Sequence, residues 1–210
     1  MHHNSIAGET DSLISVTWQK QSASELLMQI GEWLELRSSV EDAKHYYEAA
    51  LRVDPNHSFA AWKLGQMNLK NGEYNQAVLH LNHASRLAPD HAPTYYLLSL
   101  AYSGTGQTEY ALDAAENALK YNANNAGAFL QKLRMLAQLK RWQEINDVRN
   151  SSVFSSQLPN EIYLWYALAS LHLNDVDTAR MLFEKVSPKT RKLHRDVAEV
   201  LEAQLTRTTS

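Results

Sequence analysis

The chain has no cysteine among its 210 residues. That removes disulfides, thiolate chemistry and any zinc site built on cysteine, and it fits a reducing compartment. Glycine and proline are scarce, seven and five in all, too few for the turns of a β-rich protein. No long basic run is present and the formal net charge is −3. Nucleic acid is therefore not an expected partner, because phosphates call for clustered Lys and Arg. No window approaches the roughly 18 unbroken apolar residues of a membrane-crossing helix, so membrane insertion is not expected either. The opening MHHNSIAGETDSLISV lacks a basic start followed by a long apolar run, so no secretory signal is read there and a cytoplasmic location is expected.

Catalytic signatures are missing as well. There is no phosphate-binding loop, no paired-glycine dinucleotide fingerprint, no HExxH and no G-x-S-x-G. His80 and His83 stand three apart, but no third ligand is evident beside them, and they read as surface histidines. His2 and His3 read the same way. No catalytic residue, cofactor or metal site is expected, and the chain is not expected to be an enzyme.

Apolar residues make up 44% of the chain and charged residues 20%, enough for a packed core. Ala, Leu, Glu, Gln and Lys are frequent and favour helix. The stretch Ser58–His91 recurs along the chain. Start points at Ser24, Ser58, Ala92, Ala126 and Asn160 are evenly spaced, with no insertion. A fixed period of about 34 residues marks a helical array. It divides the chain into an N-terminal segment 1–23, partly disordered, five units at 24–57, 58–91, 92–125, 126–159 and 160–193, and a capping helix with a frayed tail at 194–210. The apolar group Leu13–Trp18 is expected to pack on the first unit. Each unit splits into two amphipathic helices with a polar break between them, such as Lys70–Glu73. Pro55 and Pro89 stop the second helices of the first two units.

Small residues recur where paired helices must approach. Gly31, Gly65, Ser99 and Ala167 lie on first helices, and Ala43, Ala77, Ala111 and Ala179 on second helices. Ala50, Ala84 and Ala118 follow seven residues on. Tyr47, Leu81 and Phe183 are the fillers between them. The fourth unit departs: Leu133 stands in the small column, Ile145 in the alanine column, and Ser151–Pro159 loses helical spacing. A short or loosened second helix is expected there. Spacing at Leu193, Val197, Val200, Leu201 and Leu205 reads as the helix that covers the last open face.

This column set resembles the tetratricopeptide repeat. The second unit carries Trp62, Leu64-Gly65, Ala77, Leu81, Ala84 and Pro89; the third carries Tyr95, Leu98, Tyr102, Ala111 and Ala118; the first carries Ile30-Gly31, Leu34, Ala43, Tyr47, Ala50 and Pro55. The resemblance covers about 24–193. It implies an all-α fold, a right-handed α-α superhelix (solenoid) of antiparallel helix pairs with a C-terminal capping helix. It also implies a concave groove lined by first helices. The groove positions are then Phe59, Trp62, Gln66, Leu69, Tyr96, Leu100, Leu130, Arg134, Leu164 and Leu168, with an acidic end at Glu25, Glu32 and Glu35. An aromatic and apolar stripe of this kind serves either partner binding or packing between units.

The resemblance implies a protein or peptide partner. A scaffold or adaptor that holds a peptide or helix in the groove, in assembly of a larger complex, is the leading reading. A chaperone shielding an apolar segment of a secreted or assembling client, and a self-associating structural protein, are the alternatives. The family's capture of a C-terminal carboxylate is not expected here. It needs Lys, Asn, Asn, Lys and Arg where this chain has Met28, Glu32, Lys63, Pro93 and Leu97.

Overall fold

Five residues between helices set the plan of the backbone. Ser38, Gly72, Gly106, Lys140 and Asn174 have positive φ, between 58° and 75°, and each stands one repeat period after the last. At each, the next N–H reaches back five residues: Ser39 to Leu34, Glu73 to Asn68, Gln107 to Tyr102, Arg141 to Leu136, and Asp175 to Ser170, at 2.8–3.0 Å. That is the closure that ends a helix through one left-handed residue. The chain thus stops a helix and turns back at a fixed interval.

The computed structural model describes residues 4–150 and 159–207. Among these the structure is all-α, in the order α1 Asn4–Leu36, α2 Val40–Val53, α3 Ser58–Lys70, α4 Tyr74–Leu87, α5 Ala92–Gly104, α6 Thr108–Tyr121, α7 Ala126–Gln138, α8 Trp142–Asn150, α9 Glu161–His172, α10 Val176–Glu184, α11 Pro188–Leu193 and α12 Arg195–Arg207. The chain forms two compact units, Met1–Ala101 and Tyr102–Ser210.

In the first unit α1 packs on α2, α2 on α3, and α3 on α4. Short links between neighbours make the paired helices antiparallel. The core gathers Met28, Ala43, Tyr47, Ala50, Ala60, Leu64 and Met67. Two crossings are tight enough to exclude any side chain. A Cβ on Gly31 would lie 2.7 Å from Cδ1 of Tyr47, and one on Gly65 would lie 2.7 Å from Cδ2 of Leu81. Both walls are fully buried. Side chains cap the next helices: His57 accepts the Ala60 N–H through Nδ1 at 3.3 Å at the start of α3.

The second unit has its own core, which includes Leu133, Leu136, Ile145, Ile162, Leu164 and Phe183. Leu133 and Ile145, the two residues that break the small-residue columns, are both wholly buried. Helix α8 is described over nine residues, Trp142–Asn150, up to the point where the described residues stop. Residues 151–158, most of the serine-rich stretch, lie outside the described residues. Helix α12 packs on α9 and α10 and buries Ala198, Leu201 and Leu205. It is the capping helix.

Two expectations need correction. Helix runs back through residues 4–23, a segment expected to be partly disordered; nothing from residue 4 to 36 includes a proline to stop it. The side chains of Leu13, Ile14 and Trp18, expected to pack on the first unit, lie outside the described residues. Leu193 ends the separate short helix α11 and Val200 faces outward; both are exposed, so the face that covers the core is Ala198, Leu201 and Leu205. Helix α11 was not foreseen. Ser187 starts it by accepting the Thr190 N–H at 3.2 Å, with Pro188 at its first position.

Two substitutions test this plan. Gly65→Ala should cost about 1–3 kcal/mol, because a backbone pressed on a buried leucine cannot yield cheaply. Lys140→Gly should stabilise by about 0.5–1 kcal/mol, relieving a left-handed non-glycine residue at some cost in chain entropy. Urea unfolding followed by circular dichroism reads both.

Candidate protein-binding surface

The expected groove residues divide between the two units. In the first, Phe59, Trp62, Gln66 and Leu69 lie along α3, Tyr96 and Leu100 on α5, and Glu25, Glu32 and Glu35 on α1. Phe59 is 40% exposed. Its ring stacks on Trp62 at 5.2 Å between centroids, and Trp62 meets the edge of His91 at 5.7 Å. These rings, with Ser58, Ala84, Ala88 and Thr94, line a small open cavity of about 80 Å³. The indole Nε1 of Trp62 is buried and has no acceptor among the described residues. A buried donor left unpaired costs roughly 1–3 kcal/mol.

Gln66, Leu69, Tyr96, Leu100 and, in the second unit, Leu130 and Arg134 are half-buried. Leu164 and Leu168 are not surface residues. They sit at 0% and 8% exposure in the core cluster that also takes in Ala198, Leu201 and Leu205 of the capping helix.

The charges are mostly spent inside the chain. Lys63 Nζ donates to Glu35 Oε2 at 2.8 Å, and the Tyr47 hydroxyl donates to the same oxygen at 2.9 Å. Lys70 stands 3.7 Å from the other carboxylate oxygen. Burial pushes the Glu35 carboxyl up, but the bonds from Lys63 and Tyr47 outweigh it and hold it below its ordinary value. Burial first, and then the bond to Glu35, raise the Tyr47 hydroxyl above its usual range, so it stays a donor. Glu25 lies 3.4 Å from Nε2 of His57. Glu32 remains half-exposed beside Glu35, Leu36 and Lys63 at an open cleft of about 490 Å³. Of the three acids, Glu35 is the one held by lysines. In the second unit Arg134 donates twice to Glu161 Oε1, at 2.6 and 3.0 Å. His194 Nε2 stands 2.7 Å from that oxygen, too poorly aligned for a hydrogen bond.

Lys63 and His91 are the members of this surface that the sequence did not single out. Lys63 Nζ lies 5.7–5.9 Å from the ring centres of Tyr47, Phe59 and Trp62. His91 follows His57 by one repeat period, at the position that starts each first helix, and that phase was the available signal.

Family models described as tetratricopeptide repeat match residues 37–92 and 92–125. The chain is a tetratricopeptide repeat protein. The solved structure of YrrB, described as a TPR protein with an unusual peptide-binding site, matches with a TM-score of 0.70 at 17% identity, over 84% of this chain and 90% of that one. MamA matches with a TM-score of 0.70 at 22% identity, over 81% of this chain and 92% of that one. The first TPR of Spaghetti (RPAP3), solved with an HSP90 peptide, matches with a TM-score of 0.55 at 17% identity, over 57% of this chain and 95% of that one. At these identities the likeness is one of fold. Protein CTR9 homolog of Arabidopsis thaliana is 28% identical over 125 residues, 58% of this chain and 12% of its own length. The TPR repeat-containing protein YpiA of Bacillus subtilis is 29% identical over 117 residues, 55% of this chain and 27% of its own length. The tetratricopeptide repeat chain thus spans well under two thirds of the length of these relatives.

The Glu35 cluster gives a pH test with a definite sign. A carboxyl held below its ordinary value stabilises the fold in its charged form. That contribution is complete above about pH 4.3, the unfolded value, and is lost as pH falls through the lower folded value. Glu35→Gln should therefore melt below the parent at pH 7, and the difference should close as pH falls through the lowered folded value. Thermal melts across that range check it.

Proposed function

We propose that this chain is a non-enzymatic scaffold that binds a peptide or helix of another protein, with its anchor in the Phe59–Trp62–His91 cavity. The observation that carries the reading is one small cavity lined by the exposed Phe59 ring and the half-buried Trp62 and His91 rings, on a tryptophan whose buried Nε1 has no acceptor among the described residues. A tetratricopeptide repeat carries protein-binding surfaces as a class, and the peptide complex of one structural neighbour is in keeping with that. Aromatic anchors of this kind dominate binding energy where they occur. With Lys63 and Glu35 paired to each other, the cavity offers apolar and aromatic contact in place of a free charge. The partner's matching group is an apolar or aromatic side chain.

The partner need not be known to test this. A displayed library of random peptides about 15 residues long, panned on the whole chain, should enrich sequences with an aromatic or branched apolar anchor. Those peptides should bind Trp62→Ala at least about tenfold more weakly, a loss of about 1.4 kcal/mol or more. Circular dichroism checks that the variant is folded. Enriched peptides that bind Trp62→Ala and Phe59→Ala as well as the parent would falsify the assignment of the anchor.

A further inference from the structure

The first helix presents a face that no described part of the chain covers. Three later first helices put Ala60 and Met67, Ala128 and Met135, and Ile162 and Ala169 at two columns that are at most 1% exposed. The residues in register on α1 are Leu26 and Trp33, and they are 58% and 51% exposed. The end of a helical array is kept soluble by polar side chains at these places. Here they are large and apolar.

Leu26 and Trp33 belong to a longer series. Gln19, Ala23, Leu26, Ile30 and Trp33 follow at alternating spacings of four and three, and Arg37 comes four residues later. That spacing is the seam of paired helices. All six are exposed except Ile30, which is half-buried. Helix α1 is also 33 residues long where α3 has 13. Its extra length projects about 30 Å at 1.5 Å per residue.

We propose that the α1 seam pairs with the same seam of a second copy of this chain, antiparallel, about a two-fold axis between Leu26 and Ile30. A two-fold contact must be complementary to itself, and this sequence read backwards is. With Leu26 set against Ile30, Ala23 falls opposite Trp33, a small residue against the largest, and Gln19 falls opposite Arg37, polar against polar. Charge selects the direction. The seam has no carboxylate, and its one cation is Arg37, whose guanidinium lies over the Trp33 ring at 4.0 Å. Parallel pairing would set two Arg37 side chains together; antiparallel pairing places them about 27 Å apart. The surface is separate from the Phe59–Trp62 cavity, so a dimer and peptide binding do not depend on each other.

Light scattering on the eluting protein tests the pairing directly. The parent should run at twice the chain mass, and Trp33→Glu should raise the dimer dissociation constant at least about 100-fold. Its helical content should not change, since Trp33 is exposed. The absence of native cysteine allows a test of direction. Gln19→Cys mixed with Arg37→Cys should form a disulfide-linked pair on oxidation, while Arg37→Cys alone should not. Self-linking of Arg37→Cys overturns the antiparallel arrangement. A parent that stays monomeric up to about 100 µM overturns the pairing and leaves the face to a helix of a different protein.

Discussion

The structure depends first on how closely two helices of a pair can cross. At Gly31 and Gly65 a first-helix backbone lies directly on the Tyr47 ring and on Leu81, with no room for a methyl group. That contact sets the distance between partners, and the alanines at Ala43, Ala50, Ala77 and Ala84 keep it along the crossing. Once the spacing is fixed, the apolar residues of one pair have a defined place to meet those of the next. At the pair α7–α8 the column is filled instead. Leu133 and Ile145 occupy the small positions, both buried.

Much of this was legible because it is local and periodic. The starts of α3, α5 and α7 at Ser58, Ala92 and Ala126 fall on the repeat phase, and the small-residue columns mark the crossings. The features that were not legible depend on partners distant in sequence or on the ends of the array. Glu35 reads as a free groove acid until Lys63, far along the chain on α3, and Tyr47 are seen to hold it. Leu164 and Leu168 read as groove residues by column, but the last pair is closed by α12 and they join the core. A column assigns a direction relative to the helix; it does not say what stands in that direction at either end.

Internal compensation also shapes the candidate surface. Charged groups that would otherwise attract a partner are paired within the chain, at Lys63–Glu35 and at Arg134–Glu161. The side chains still presented are aromatic: Phe59 and Trp62 around one cavity, and Trp33 at the open end. Recognition at such places relies on shape and desolvation more than on long-range attraction, so its dependence on salt is weak.

The five left-handed turns also imply a hierarchy of opening. Glycine stands at the second and third, where positive φ carries no steric penalty; serine, lysine and asparagine stand at the first, fourth and fifth. In an array whose stability is a sum over neighbours, stress at such joints is not shared evenly. The glycine turns are the least strained, the asparagine turn comes next, and the serine and lysine turns are the most strained. Amide exchange would then be slower around Gly72 and Gly106 than around Ser38 and Lys140, so that the turn joining the pair that bears Phe59 and Trp62 is among the last to open.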